Sequence, residues 1–342
     1  MTLESAPRFG PDTPRPGEAV EIAPGILWLR FPLPFALDHV NVWALEDGDG
    51  WTIVDTAFGD ATCKGIWLEL LDGALRARPV RRLVVTHYHP DHIGLAGWLT
   101  ARTGAEFWMP EAEWLTARLL FSDAGEAALA TAMDFYRKAG LDADTLTELE
   151  ADGNVYARRI SPPPTTFHPL RAGQALDIGG RRFEVLIGEG HAPAQACLFC
   201  AEENLLFAAD QILPRISPVV PVWPQAPEAD PLGGFLETLE HFRRLPAATR
   251  ALPAHDWPFA DLHGRIDALV AHHAARLAEA EAAIDGSADA RTVLQALFPE
   301  IADVHQIRFA LGETLSHLNR LCTAGRVART VEDGVWRYAT VR

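Results

Sequence analysis

The stretch T-H-Y-H-P-D-H-I-G at residues 86–94 places three histidines and one aspartate within six positions, directly after an apolar run. On a loop that leaves a strand, His87 and His89 can project to one side, while Asp91 and His92 turn toward a second position. Neutral imidazole is a good ligand for zinc, and carboxylate oxygens bind the same ion or a harder one. The order H-x-H-x-D-H therefore predicts a metal-binding loop rather than a solvated, histidine-rich turn.

A metal site needs more ligands than one loop supplies, and other apolar runs of the chain end in suitable residues. His191 ends F-E-V-L-I-G-E-G-H, Asp210 ends L-L-F-A-A-D, His255 follows R-A-L-P-A, and Asp55 ends W-T-I-V-D. Each alone has a simpler explanation, because an aspartate at a strand end often caps a turn and a lone histidine often packs in a core. Together with the H-x-H-x-D-H loop, they predict one shared site built from several strand ends.

With these residues the chain resembles the metallo-β-lactamase superfamily over about residues 20–262. The matching segments, in the family's order, are the strand end at Asp55, T-H-Y-H-P-D-H-I-G, G-E-G-H-A-P, F-A-A-D and P-A-H-D. The resemblance implies an α+β fold, a four-layer αββα sandwich with a two-metal site at one edge. It also implies the roles of eight residues: His87, His89 and His191 on one metal, Asp91, His92 and His255 on the other, Asp210 bridging, and Asp55 ordering the metal loops.

Two positions depart from the family's pattern. Gln195 stands where a second histidine often follows the third ligand, and Asp256 replaces a glycine of the usual P-G-H-G. Because that second histidine is not usually a ligand, its loss leaves the predicted site complete. Asp256 has two interpretations, a contact to substrate or a cap of the turn.

The rest of the chain is expected to form appendages to the sandwich. We predict an extended or flexible amino-terminal arm at 1–19, a catalytic domain at 20–262 with a helical insertion near 111–150, and a helical linker with a winged-helix-like domain at 263–342. This last segment resembles the appendage of a winged-helix subset of the superfamily. That subset includes thioester hydrolases of the glyoxalase II type and an RNA-cleaving branch.

Composition limits the expected partners and compartment. Acidic residues outnumber basic ones by 46 to 30, for a net charge of −16. This charge opposes affinity for phosphate backbones, so nucleic acid is not expected as a partner. No apolar run has the length of a signal peptide or a membrane span, so a cytoplasmic protein without a membrane partner is expected. The C-x-x-C of Cys197 and Cys200 lies in an apolar run and is interpreted as two buried small side chains.

The resemblance predicts a metal-dependent hydrolase. Two divalent ions, with zinc favoured and iron or manganese as alternatives, would lower the pKa of a shared water from near 16 toward about 7. The hydroxide would attack an ester-type carbonyl or a phosphoryl centre, and Asp91 would orient it or shuttle its proton. An acyl thioester or a related ester is the first choice of substrate, because the Pro- and Trp-rich loop at 214–231 and the insertion can cover an acyl chain.

Two alternatives remain open. One is an RNA or phosphodiester endonuclease of the same superfamily, although the five arginines between Arg320 and Arg342 give only a small local excess of positive charge. The other is a winged-helix regulator whose front domain senses a metabolite, which the retention of all seven ligand positions argues against. A homodimer is one option for the assembly.

Overall fold

The computed structural model describes residues 4–35, 37–123, 125–301 and 303–341. In these ranges the chain forms two stacked β-sheets with helices against their outer faces and a separate β-hairpin near the carboxyl end. This arrangement confirms the predicted αββα sandwich. No helix in the described ranges combines the length and the apolar character that a membrane span needs.

The first sheet has seven strands that pair in chain order. They are β1 (Ala19–Ala23), β2 (Ile26–Pro32), β3 (His39–Asp47), β4 (Gly50–Val54), β5 (Val80–Val84), β6 (Glu106–Pro110) and β7 (His168–Leu170). Strands β1 to β4 are antiparallel, whereas β4 to β7 are parallel. The parallel strands need crossovers, and helices supply them: α1 (Ala61–Asp72), α2 (Pro90–Ile93), α3 (Ala96–Thr103), α4 (Glu111–Ser122), α5 (Glu126–Lys138) and α6 (Ala143–Asp152). The last three, called the insertion helices below, lie in the segment near 111–150 that was predicted to be helical.

The second sheet has five strands in the order β12-β11-β10-β9-β8. They are β8 (Ala175–Ile178), β9 (Arg181–Gly188), β10 (Gln195–Cys200), β11 (Leu205–Ala209) and β12 (Arg250–Pro253). Two hairpins belong to this sheet, β8–β9 through Gly179-Gly180 and β10–β11 through the turn at 201–204. The two glycines have φ of 59° and 81°, the left-handed region in which glycine carries no steric penalty.

Helix α7 (Pro231–Phe242), which joins β11 to the parallel strand β12, was missed by the sequence analysis. It begins at Pro231, the last proline of the proline-rich loop, and the prolines before it indicate turns. The start of the helix is therefore hard to recognise in the sequence. Asp230 caps it by accepting a hydrogen bond from the amide of Gly233. Its buried side chains recur every three or four positions and pack on the outer face of the second sheet: Leu232, Phe235, Leu239 and Phe242.

Three of the apolar cores belong to the sandwich: one fills the space between the sheets, and the other two lie between each sheet and its helices. Strands β4 and β11 are buried along their whole length, as expected for strands covered on both faces. The two cysteines of β10 are fully buried free thiols on opposite faces, Cys200 in the core between the sheets and Cys197 in the outer core. Their interpretation as small buried side chains is confirmed.

The carboxyl-terminal region contains α8 (Leu262–Ala282), α9 (Ala290–Leu297), α10 (Val304–Thr323) and the hairpin of β13 (Val327–Glu332) and β14 (Val335–Thr340). These elements share a further core with the insertion helices α5 and α6. The winged-helix identity of this region and the predicted domain boundaries stay predictions. Residues 4–18 run along the sandwich, where Ala6 and Phe9 donate backbone hydrogen bonds to Pro214 and Pro258.

Candidate metal centre

Asp55 and the candidate ligands lie beyond the carboxyl ends of strands. In the first sheet, Asp55 directly follows β4, and His87 lies three residues after β5. In the second sheet, His191 lies three residues after β9, while Asp210 and His255 follow β11 and β12. Because the strands concerned run in the same direction within each sheet, their ends share one edge, where the loops can bring distant residues together.

The first group of donor atoms comes from His87, His89, His191 and Asp210, whose candidate ligand atoms all lie within 4.8 Å of one another. Nε2 of His87 lies 3.0 Å from Nδ1 of His89 and 3.3 Å from Nε2 of His191. Nε2 of His191 lies 3.3 Å from Oδ2 of Asp210. Ligand atoms at the corners of a tetrahedron around zinc, at the usual zinc–nitrogen distance, are about 3.3 Å apart. The spacing of this group therefore fits a tetrahedral metal.

The second group comes from Asp91, His92 and His255, again within 4.8 Å. Oδ2 of Asp91 lies 3.5 Å from Nε2 of His255 and 3.7 Å from Nε2 of His92. Asp210 also reaches this group, with Oδ2 lying 3.5 Å from Nε2 of His92 and Oδ1 lying 3.3 Å from Nε2 of His255. Asp210 therefore lies between the two groups.

Backbone carbonyls fix the proton positions on two of the histidines. Nδ1 of His191 lies 2.7 Å from the carbonyl oxygen of Val219, and Nδ1 of His255 lies 2.8 Å from that of His39. Since a carbonyl oxygen only accepts, each Nδ1 carries the proton and each Nε2 presents a lone pair to the site. Lone pairs directed at one another and at carboxylate oxygens favour a cation between them.

The buried polar atoms of the site support the same conclusion. Among the described residues, Nε2 of His92 and Oδ1 of Asp210 lie among the donor atoms without a hydrogen-bond partner, although buried polar atoms are almost always paired. Burial lowers the pKa of His87 and of His89 well below the ordinary value, so both rings are neutral. Imidazoles with ionised carboxylates form a donor set that fits divalent metal ions.

Comparison with known proteins identifies the family of this chain. The family model of the metallo-beta-lactamase superfamily matches residues 36–255, and that of the metallo-beta-lactamase-like C-terminal domain matches residues 277–341. The chain belongs to the metallo-beta-lactamase superfamily. Its curated relatives include the probable metallo-hydrolase YqjP of Bacillus subtilis (strain 168), which is 23% identical over 311 residues that cover 86% of this chain and 92% of the relative.

Two solved structures resemble the chain over nearly its whole length. A beta-lactamase domain protein from Burkholderia ambifaria is 37% identical, with a TM-score of 0.91 and 98% of each chain covered. A metallo-beta-lactamase family protein from Thermus thermophilus is 32% identical, with a TM-score of 0.80, 94% of this chain covered and 100% of the other. The similarity therefore includes the insertion and the carboxyl-terminal elements as well as the sandwich.

Asp55, the predicted ordering residue of this superfamily member, contacts the metal loop at three points. Its carboxylate accepts hydrogen bonds from the amide of Thr86 at 2.8 Å, from the Thr86 hydroxyl at 3.0 Å and from Nδ1 of His92 at 2.8 Å. The Thr86 hydroxyl oxygen lies 2.9 Å from Nδ1 of His87 and accepts that proton, because its own hydrogen faces Asp55. His87 and His92 thus also present Nε2 lone pairs to the site.

Gly94 of T-H-Y-H-P-D-H-I-G and Gly190 of G-E-G-H-A-P allow the backbones around the site to pack closely. A Cβ on Gly94 would lie 2.2 Å from the carbonyl oxygen of Pro90 and 2.5 Å from that of Ala57. A Cβ on Gly190, which has φ of 99°, would lie 2.4 Å from Cβ of Phe235 on α7. The short helix α2 and the His191 loop can therefore reach their positions only without these side chains.

The two departures from the superfamily pattern have structural roles. Gln195 is fully buried and its Oε1 accepts a hydrogen bond from the amide of Asp210 at 3.1 Å, so it supports the loop of the central carboxylate. Asp256 has φ of 65°, accepts two hydrogen bonds from Arg215 at 2.9 and 3.1 Å, and donates its amide proton to Nε2 of His39. Of the two interpretations of Asp256, a structural role in the turn is the one these contacts support.

Sequence reasoning missed two supporting residues of the site. Asn41 on β3 is fully buried, and its Nδ2 donates to the carbonyls of Pro253 and Asp256 on either side of His255. The indication in the sequence was a single amide side chain within the apolar run H-V-N-V-W. Glu113 on α4 is also fully buried, and burial raises the pKa of its carboxyl to about 7 against the opposing effect of two amide donors. In the sequence it stands among surface acids and carries no comparable signal.

Proposed function

We propose that this protein is a dinuclear metal-dependent hydrolase that acts on an acyl thioester or a related ester. One observation supports the proposal above others: two groups of donor atoms converge at one edge of the sandwich and meet at Asp210. In the proposed site the first ion is held by His87, His89 and His191, the second by Asp91, His92 and His255, and Asp210 contributes to both. Zinc is the first choice of metal because the spacing of the first group matches a tetrahedral zinc site.

The reaction would divide between the ions and the protein. Divalent ions at such a site lower the pKa of water toward neutrality and polarise a carbonyl oxygen. Asp91 is only partly buried and its carboxylate faces His92 and His255, so it can hold the proton that leaves the attacking water. A thiolate can leave without first being protonated by an acid. A site with Asp91 as its proposed proton carrier is therefore sufficient for a thioester.

Aromatic side chains beside the first donor group support an acyl substrate. The ring of Tyr88 lies 4.5 Å from that of His89. Trp223 of the proline-rich loop packs edge-on against Phe309 of α10, with ring centres 5.7 Å apart. The loop and the carboxyl-terminal helices therefore supply an apolar wall of the kind that binds an acyl chain.

The charge distribution disfavours the endonuclease alternative. The arginines of the carboxyl-terminal tail that the structure describes are engaged with carboxylates, in the pairs Arg320–Asp230, Arg326–Glu281, Arg329–Glu228 and Arg337–Asp289. A surface that binds a phosphate backbone needs cations free to replace counterions. Paired arginines on a chain with a net charge of −16 are a poor surface for RNA.

The test is a substrate panel run on the zinc-loaded protein. We expect free thiol to be released from acyl-glutathione or acyl-coenzyme A while single-stranded RNA stays intact, and we expect about two metal ions per chain by elemental analysis. His89→Ala should lower the thioester rate at least about a hundredfold without unfolding the protein, because it removes a proposed ligand. The matched control is His241→Ala, which changes an exposed histidine on α7.

Each outcome has a clear meaning. Cleavage of RNA with thioesters untouched would reverse the order of the two substrate classes. A fully metallated protein that hydrolyses no ester, thioester or phosphodiester would contradict the proposed function.

A further inference from the structure

Glu113 is a buried carboxylate that makes no ion pair with a described residue. It lies in the first turn of α4 and is fully buried, although its neighbour Glu111 on the same helix is exposed. Burying a carboxylate without a cation costs several kcal/mol unless hydrogen bonds replace the lost water. A residue of this kind needs a structural reason for being acidic.

The two oxygens of Glu113 each accept a backbone hydrogen bond from a different ligand loop. Oε2 lies 3.0 Å from the amide nitrogen of Tyr88, the residue between His87 and His89. Oε1 lies 2.5 Å from the amide nitrogen of Ala194, three residues after His191. One carboxylate thus ties together the two loops that carry the three histidines of the first donor group.

A second contact from the same part of the chain holds the other side of Tyr88. The hydroxyl of Tyr156, just beyond α6, donates to the carbonyl oxygen of Tyr88 at 2.6 Å. Both backbone hydrogen-bonding groups of the residue between the two histidines are therefore bound by side chains of the β6–β7 connection. The backbone of the H-x-H segment has little freedom to move while these contacts persist.

We propose that Glu113 is a positioning residue of the metal centre, which sets the spacing between the H-x-H loop and the His191 loop. The proposal rests on the ligand set of the proposed function. Metal ligands must be held within about half an ångström of their productive positions by the groups behind them. The ring nitrogens of the first group are 3.0–3.3 Å apart, a spacing that depends on the two loops staying in register. Glu113 makes no hydrogen bond or ion pair with Asp91, His92 or His255, so its effect should fall mainly on the first metal.

The experiment compares Glu113→Gln with Glu111→Gln in the full-length protein. A glutamine has the same shape but one acceptor oxygen, so its amide group must face one of the two backbone amides and lose that bond. We expect Glu113→Gln to bind one of its two metal equivalents tenfold to a hundredfold more weakly in chelator competition, with the other equivalent unchanged. The visible spectrum of the cobalt-substituted protein should change, while circular dichroism keeps the secondary structure of the wild type. Glu111→Gln should match the wild type in all three measurements.

The outcomes separate this proposal from the function on which it rests. Wild-type metal affinity and cobalt spectrum in Glu113→Gln would overturn the positioning role. A wild-type chain that binds no metal would instead contradict the proposed function. Should Glu113→Gln fail to fold, Tyr156→Phe removes only the bond to the Tyr88 carbonyl and should weaken the same metal equivalent to a smaller degree. An unchanged affinity in Tyr156→Phe would then count against the proposal.

Discussion

At the scale of single residues, the proposed site depends on protons being held away from the proposed ligand atoms. The four histidines with assigned protons direct Nε2 into the site because an oxygen behind each ring accepts the Nδ1 proton. Two of these acceptors are backbone carbonyls, which substitution cannot easily change. The acceptor behind His92 is the carboxylate of Asp55, and it can be tested directly.

We expect Asp55→Asn to weaken binding at the second donor group by tenfold to a hundredfold. Asparagine can still accept the amide of Thr86, but its amide group would then face Nδ1 of His92 and favour the tautomer with the proton on Nε2. Stepwise metal competition measures this loss. Asp49→Asn in the exposed β3–β4 turn is the control, and equal affinities in the two variants would exclude the proposed role of Asp55.

The sequence was most informative about residues whose chemistry is local. The ligand candidates could be predicted because H-x-H-x-D-H is specific and because acidic or imidazole side chains at strand ends are conspicuous. Glu113 and Asn41 could not be predicted to serve the site, because their roles come from contacts with residues 25 and more than 200 positions away. Nothing in the local pattern distinguishes such residues from ordinary polar side chains.

At the scale of elements, the proline-rich loop at 214–231 is held by the carboxyl-terminal helices. The buried guanidinium of Arg265 on α8 donates to three backbone carbonyls, those of Leu213 at 2.5 Å, Ile216 at 2.7 Å and Glu4 at 2.7 Å. Val222 donates to the carbonyl of Gly312 on α10. These anchors flank Val219, whose carbonyl orients His191, so the segment is a fixed wall rather than a loose loop.

Arg265→Lys should loosen this wall. A lysine cannot reach three separated carbonyls, and each buried carbonyl left unpaired costs about 1–3 kcal/mol. We expect the free energy of unfolding to fall by roughly 2–4 kcal/mol and amide hydrogen exchange to rise at 212–223. Mass spectrometry of exchange measures the second effect, with Arg244→Lys, an exposed arginine, as control. Unchanged exchange in this segment would show that other contacts suffice to hold it.

The elements predicted correctly were those with local turn or periodic signals. The helices near 111–150 were predicted, and the hairpins β3–β4 and β8–β9 have glycine turns of the kind that marks a hairpin in a sequence. The course of the proline-rich loop had no such signal, because it is set by contacts with helices that follow it in the chain. For the same reason its effect on His191 could not be inferred.

At the scale of the whole molecule, two neutral histidines link the carboxyl-terminal helices α8 and α10 to the proline-rich loop. Nδ1 of His317 donates to the carbonyl of Glu313 at 2.8 Å, and Nε2 of His317 faces Nδ1 of His273 at 3.4 Å. Nε2 of His273 then accepts from the hydroxyl of Ser217 at 3.0 Å. Burial, with the nearby positive groups, lowers the pKa of His317 to about 4 and that of His273 to about 2.

These two buried histidines predict a loss of stability in mild acid. The unfolded protein takes up protons on these histidines below about pH 6.5, whereas the folded protein keeps them neutral, so stability falls as the pH drops from about 6.5 toward 4. His317→Gln removes one such group and should reduce the pH-dependent loss by on the order of 3 kcal/mol at pH 4. Urea unfolding of metal-loaded protein at several pH values measures the slope, with His241→Gln as the matched exposed control. Parallel curves for wild type and His317→Gln would refute the assignment.

The core shared by the insertion and the carboxyl-terminal helices limits how this protein can be shortened. Met133, Phe135 and Leu149 of the insertion are buried together with Leu311, Leu315 and Trp336 from the far end of the sequence. A fragment cut after residue 262 would leave the apolar faces of α5 and α6 in water, and such exposed patches promote aggregation. A shorter version of the protein would therefore need both segments removed together, because a chain that carried only one of them would expose its apolar face to water.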